Sequence, residues 1–469
     1  MSTRRSTAAA PGLSATRGLA YYLGAVLGTG VLALPGLAAQ AAGPASLIAW
    51  TVLIVASVPI AWTFALLGAK MPDPGGASTY VRKAFGDSAA ACCGWVFYFT
   101  VPIGVPASAY FAGNYVANAV GGGRGTTLLV TGLIVAAVWL CNVVGIRTSS
   151  TVQLGVAAVL VLVMVAAVVV AAPHAKLTYL HPFAPHGWSA IGTATALIVW
   201  AFAGWEAMSH LGGEFRDPQR DLRRVTVAAL VIVGVLYLAL AAAVVLVLGP
   251  RGGSSVAPLA DLLSYGVGGA AGGLSAVVAV ILTVGVLNAY VAGASKLGAA
   301  LGRDGSLPRW FATGAAQGVT PRRSLLVVAG VEAVAFGVLW LNLLPQPSLV
   351  LLMTSAIVAV YVAGMAAAGK LLTGRRERVT ALIGLAVALL IAATCGWYLL
   401  WPVTIAALAL GYRVLRRITV EVKVGSKVER NRLNSGSVAI GEGTRVEHQT
   451  ERGGTLHTYE HRASHHPQP

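Results

Sequence analysis

Charge is what this sequence has least of. Only 10% of its 469 residues are Asp, Glu, Lys or Arg, whereas 57% are hydrophobic and the mean hydropathy is +0.76. One soluble core cannot absorb that much apolar surface, so the composition excludes a soluble globular domain and points to an all-α polytopic membrane protein. Cysteine is scarce too. Cys92, Cys93, Cys141 and Cys395 are the complete set; all lie in apolar runs without metal-ligand spacing, so they are small core residues and no metal site is expected. Acidic residues number 16 against 33 basic ones, a net charge of +17. The basic residues are scattered over many short loops rather than gathered in one patch, which argues against nucleic-acid binding. The chain also lacks HExxH, Walker phosphate-loop and GxSxG motifs. Nothing therefore supports ATP-driven or catalytic chemistry, and neither an enzymatic activity nor a cofactor is expected.

What is present is a series of long apolar runs. A bilayer core about 30 Å thick takes roughly 20 apolar residues per helix, and twelve runs fit: 18–41, 45–68, 90–119, 126–145, 152–172, 189–212, 225–248, 268–299, 324–343, 348–370, 379–395 and 397–412. The last two meet at Gly396. The first 17 residues are basic and small and lead straight into a full-length span, which predicts a retained anchor rather than a cleaved signal peptide. On this reading three of the 33 Lys and Arg residues, Arg124, Lys176 and Arg251, lie on one side of the bilayer and 30 on the other, ten of those in the tail. The positive-inside rule then places both termini and the basic loops in the cytoplasm. The expected organisation is a cytoplasmic segment over 1–17, a transmembrane domain over 18–416 and a polar, disordered cytoplasmic tail over 417–469. His457, His461, His465 and His466 cluster in that tail, and ITVEVKV at its start alternates as a short strand would.

The first run contains GAVLGTGVLALPG, Gly24–Gly36, with a proline and four glycines where a membrane helix should be continuous. In hydrocarbon every backbone N–H and C=O must be satisfied internally, so an unwound stretch survives only where it faces protein or a water-filled cavity. Gly28-Thr29-Gly30 can unwind at low steric cost, and the freed N–H groups favour an anion such as a carboxylate. Close helix packing is the competing explanation, since Gly24 and Gly28 have small-xxx-small spacing. The sixth run, ALIVWAFAGWEAMSHLGGEF over 196–215, is a second interrupted segment: Ala203-Gly204, then Glu206 near mid-membrane, then Gly212-Gly213. An intramembrane carboxylate normally faces the bundle interior and marks a substrate or proton path; a structural hydrogen bond to neighbouring backbone is the alternative. Runs one and six stand five helices apart, the spacing of a five-plus-five repeat, inverted because five is odd.

Three connections stand out. MPDPGGASTYVRKAFGD (71–87) predicts a re-entry into a short surface helix. EFRDPQRDLRRV (214–225) mixes three acids with four arginines around a helix-stopping Pro218, either a gate held by ion pairs or a solvated charged loop. LGRDGSLPRWF (301–311) is turn-rich. Glu332 in the ninth run is a second intramembrane acid without a broken helix beside it, and His210 falls four residues after Glu206, on the same helical face.

Taken together, GTGVLALPG, PDPGGASTYVRKAFG, FAGWEAMSHLGGEFRDPQRDLRRV and NAYVAGASKLGAALGRDGSLPRWF resemble the motifs of the amino acid–polyamine–organocation (APC) superfamily of amino-acid transporters, in the family's order across 18–416. More narrowly the chain resembles the bacterial branch of methionine and branched-chain amino-acid exporters. The resemblance implies a LeuT-like fold of about twelve transmembrane helices, a 5+5 inverted repeat with helices one and six discontinuous around a central site. It implies a substrate carboxylate on Gly28, Thr29 and Gly30, an amino group held near Ala201, Ala203 and Gly204, a covering aromatic at Trp200, and proton coupling through Glu206. No second acid is evident to receive a basic side chain, so an apolar substrate fits better than a cationic one. The implied function is secondary active transport of neutral apolar amino acids at the inner (plasma) membrane, as a proton-coupled exporter; an importer or exchanger of other specificity, or a non-transporting sensor or channel, is the alternative.

Overall fold

The computed structural model describes residues 14–72, 76–145, 150–206, 215, 217–314 and 320–418. All regular structure among them is helical. Residues 1–413 group into one compact unit. A second begins at Val414, and its described part, 414–418, is helical. The tail's histidine cluster, its expected strand, His210, Glu214 and Arg216 lie outside the described residues.

In chain order the helices are α1 (Ala15–Val26), α2 (Leu34–Ala42), α3 (Ser46–Lys70), α4 (Gly76–Phe85), α5 (Asp87–Ala119), α6 (Arg124–Val144), α7 (Ser150–Ala171) and α8 (Ala190–Ile198). They continue as α9 (Pro218–Ala243), α10 (Pro250–Ser254), α11 (Pro258–Val267), α12 (Ala270–Arg303), α13 (Arg322–Trp340), α14 (Gln346–Leu371), α15 (Arg375–Thr394) and α16 (400–418). Ten stretches among the described residues are long and apolar enough to cross a membrane. The first and sixth expected spans are not among them, because each is interrupted: α1 stops at Val26, and α8 stops at Ile198. The stretch Leu34–Lys70 joins α2 to α3 through a turn at Gly43, whose φ of +60° suits a residue without Cβ.

Packing separates inner from outer helices. In α3, α5 and α14 two-thirds of the most apolar window is buried, against about a fifth in α15. The outer faces carry apolar stripes at four-residue spacing, such as Val227, Val231 and Val235 on α9 and Leu129 and Leu133 on α6, all exposed. Such stripes have no place in water and match acyl chains. Buried aromatic pairs fix the interior around the sixth span: Trp50 packs against Tyr237 and Phe202 at centroid distances of 5.4 and 6.0 Å, and Tyr22 meets Trp205 edge-on at 5.3 Å.

Several connections differ from expectation. Pro218 begins a helix: it occupies the first turn of α9, where its missing N–H costs nothing, and the Asp217 carboxylate caps the turn by accepting from the Arg220 N–H at 3.1 Å. Among the described residues no ion pair involves 214–225. The ion pairs among the described residues lie elsewhere: Lys70 to Glu377 at 2.6 Å and Arg82 to Asp304 at 3.0 Å join distant elements, while Arg82 to Asp87 and Arg303 to Asp304 are local. The short helix after span two is α4, and it is only half a surface helix: Ala77, Tyr80, Val81 and Ala84 are buried while Arg82 and Lys83 stay outside. The connection between α9 and α12 holds two short helices, α10 and α11, that hydropathy does not reveal because neither is long or apolar enough.

Candidate functional site

Between Val26 and Leu34 the first span loses its helical ladder. Gly28 is extended, at φ −78° and ψ −167°, and a four-residue 3-10 turn, Thr29–Leu32, follows before α2 starts with Pro35 in its first turn. The Gly28 N–H turns back to the Val26 carbonyl at 2.8 Å. Thr29 and Gly30 open the 3-10 turn, where the first N–H groups have no partner within the turn. In the sixth span α8 tightens into the 3-10 turn Val199–Phe202, after which Ala203 is extended and Gly204 has φ +115°, a backbone only glycine adopts without strain.

The two breaks face each other across one small cavity of about 30 Å³. Six of the expected substrate residues line it: Gly28, Thr29, Gly30, Trp200, Ala201 and Ala203. The remaining wall comes from α5 (Val101, Gly104, Val105, Ser108), α12 (Val286, Leu287, Tyr290) and Met353 of α14. None of the lining side chains is a carboxylate, lysine or arginine. Gly104 brings α5 close to α14, since a Cβ there would stand 2.3 Å from the Met353 sulfur. Trp200 is nearly buried and packs against Phe111 of α5 at 6.0 Å.

Gly204 and Glu206, also expected at the site, do not line this cavity; they form a hydrogen-bonded knot behind the sixth break. Glu206 is 5% exposed, and its Oε2 accepts from the Gly204 N–H at 3.0 Å and the Tyr361 hydroxyl at 2.7 Å. The Gly204 N–H also reaches Tyr361 Oη at 3.2 Å, and that hydroxyl lies 3.2 Å from the Phe202 carbonyl.

Unwinding in hydrocarbon leaves carbonyls that need donors, and here tyrosines supply them. Tyr237 Oη stands 2.9 Å from the Val26 carbonyl and 3.0 Å from that of Ala201, so its single proton is shared between the two breaks. Tyr115 donates to the Leu32 carbonyl at 2.6 Å, and Tyr22 to that of Trp205 at 3.2 Å. The Ala201 carbonyl, expected to hold a substrate amino group, is thus already one hydrogen bond satisfied and keeps one lone pair. Sequence reasoning passed over all four tyrosines. The usable signal was a phenol inside an apolar run, which must find an acceptor once buried.

The family profile for amino acid permeases matches residues 14–414. This chain belongs to the amino acid permease family. The permease is 34% identical over 398 residues to the uncharacterized amino acid permease YecA of Bacillus subtilis, an alignment covering 83% of this chain and 92% of that one. It is 31% identical over 408 residues to the L-methionine/branched-chain amino acid exporter YjeH of Escherichia coli, covering 84% and 95%. A more distant relative is the serine/threonine exchanger SteT of Bacillus subtilis, at 25% over 302 residues, covering 62% and 68%. The permease is accordingly a multi-pass membrane transporter of amino acids and not an enzyme.

Proposed function

We propose that this permease is a secondary active carrier of neutral, apolar amino acids of the methionine, leucine, isoleucine and valine class, exporting them across the inner (plasma) membrane in exchange for protons by alternating access. The observation that carries this reading is the composition of the cavity wall. Backbone groups from two broken helices meet there, valine, leucine and methionine side chains line it alongside two aromatics, Thr29 and Ser108, and no charged side chain lines it. The N–H groups of Thr29 and Gly30 offer donors for a carboxylate, and the free lone pair of the Ala201 carbonyl offers an acceptor for an ammonium group. Val101, Val105 and Met353 are left for an apolar side chain, and Trp200 covers it.

Glu206 is the proposed proton carrier. Its carboxyl holds both the Gly204 N–H and Tyr361, so adding or removing its proton rewrites the hydrogen bonds of the sixth break, the segment that must move. Export draws its support from the similarity to the Escherichia coli exporter. The proposed frame is a cytoplasmic 1–17, a permease domain over 18–416 of twelve spans in a LeuT-like 5+5 inverted repeat with spans one and six discontinuous, and a tail over 417–469, both termini being cytoplasmic. The alternative is exchange or import of small polar amino acids, favoured by the serine/threonine exchanger relative and the Ser108 hydroxyl in the wall. Uptake and efflux of labelled methionine, leucine, isoleucine, valine, serine and threonine in proteoliposomes, with and without a pH gradient, decides. Saturable transport of the apolar set driven by the gradient is expected, and transport of serine and threonine alone would overturn the reading.

A further inference from the structure

Glu332 has no part in the site above. It lies on the inward face of α13, whose buried residues Ser324, Leu325, Val328, Glu332, Ala335 and Leu339 recur at helical spacing. Glu332 is 1% exposed, and among the described residues neither carboxyl oxygen has a hydrogen-bond partner and no ion pair includes it. Two polar contacts bracket it. Tyr98 donates to the Ser324 carbonyl at 3.0 Å, and Arg124 to the Leu339 carbonyl at 2.6 Å. At 1.5 Å per residue Glu332 stands about 12 Å along the helix from the first contact and about 10 Å from the second. It is therefore a mid-span carboxyl, away from both helix ends.

The elements packed against α13 are α5, α6, α12 and the 3-10 turn Arg309–Ala312. Their ionisable groups are Asp87, Cys92, Cys93, Tyr98, Tyr110 and Tyr115 on α5, and Arg124 and Cys141 on α6. Those on α12 are Tyr290, Lys296 and Arg303, with Arg309 on the turn. Among the described residues none of them bonds to Glu332. Tyr98 and Tyr115 spend their protons on the Ser324 and Leu32 carbonyls, and Arg124 is held at the far end of α13.

An ionised carboxylate without a partner in such a place costs far more than a neutral acid. A metal cation would require several oxygen ligands around the carboxyl, and its oxygens have no such company among the described residues. We propose that Glu332 is a second proton-binding site, separate from the Glu206 knot, which holds its proton in this conformation and exchanges it only when α13 parts from its neighbours far enough to admit water. Proton occupancy stands on this geometry alone, and only its exchange during turnover rests on the transport reading.

The test is modification of the reconstituted full-length protein with dicyclohexylcarbodiimide, an apolar reagent for buried protonated carboxyls, read by peptide mass mapping with and without transported amino acid. Glu332 should be modified in the wild type, faster during turnover than at rest. In Glu332→Gln and Glu332→Leu the ratio of exchange rates at about pH 5.5 and 7.5 should change by about threefold or more. The leucine variant gives up no hydrogen bond seen among the described residues, and its folding is checked by thermal unfolding alongside. Absence of modification at Glu332 during turnover would overturn the proposal, as would pH profiles of the two variants that superimpose on the wild type. Should the substrates turn out to be other than apolar amino acids, labelling of the resting protein still reports on the site, so the two readings fail separately.

Discussion

Gly28 and Gly30 both line the cavity, yet substitution should harm them in different ways. An added Cβ at Gly28 meets no atom within 4 Å, and its φ of −78° suits any residue. At Gly30 the same Cβ would stand 2.7 Å from Leu34 Cδ1 and 3.5 Å from the Ala201 Cα. Gly28→Leu therefore projects into open cavity, where the proposal puts the substrate carboxylate, and leaves packing alone. A carboxylate displaced from the Thr29 and Gly30 N–H groups forfeits two charge-assisted hydrogen bonds of about 1.5–3 kcal/mol each. Together that is about 3–6 kcal/mol, or a rise in Kd of roughly two to four powers of ten. Gly30→Ala instead pushes Leu34 aside, an overpacking cost of about 1–3 kcal/mol that shows in stability first. The assay is equilibrium binding of labelled methionine and leucine to the purified variants, with thermal unfolding of the same samples. A folded Gly28→Leu that binds within about threefold of the wild type would refute the reasoning, because nothing else in the structure keeps that side chain out of the pocket.

The other predictions concern coupling, selectivity and the helix ends. Glu206→Gln keeps a hydrogen-bonding side chain but cannot titrate, so amino-acid exchange should persist while accumulation driven by a pH gradient is lost; unimpaired accumulation in the same vesicles would end the proton-carrier assignment. Gly104→Ala forces Met353 out of its present position. It should shrink the apolar end of the cavity, weakening methionine and leucine relative to valine by about 1–3 kcal/mol in the ratio of kcat/KM, and equal losses for all three would place the side-chain pocket elsewhere. Asp217→Ala removes the cap that starts α9 and should destabilise the protein by about 1 kcal/mol, measured as a lowered unfolding temperature with substrate Kd unchanged. The Lys70–Glu377 pair is partly exposed, so a double-mutant cycle in stability should return no more than about 1 kcal/mol; a larger coupling would make it a structural latch.

The positions of the spans and the two interruptions were legible in the sequence because the bilayer is a uniform solvent. Length and hydropathy suffice to find a helix in it, and glycine pairs or an isolated carboxylate such as Glu206 within such a run can be noticed without knowing any neighbour. Spans eleven and twelve, which meet at Gly396, were the hardest to separate by hydropathy; the structure parts them, since α15 ends at Thr394 and Gly396 turns the chain at φ +55°. That Pro218 also starts a helix was missed, although Asp217 before it is a residue type that caps.

Only tertiary structure decided which groups meet. Tyr237 is separated by 211 residues from Val26 and by 36 from Ala201, yet one hydroxyl serves both carbonyls. Tyr361 reaches Glu206 across 155 residues. Gly204, beside the cavity-lining Ala203 in sequence, points its N–H into the knot rather than the cavity. No local pattern encodes these pairings, because a buried phenol satisfies itself with whatever unwound carbonyl the packing of distant helices brings near. The sequence by itself determined that the chain spans a membrane and marked where its first and sixth spans could break. The tertiary structure determined that the two breaks share one uncharged cavity and that tyrosines bond their unwound carbonyls, while Glu332 is left within α13 without a partner among the described residues.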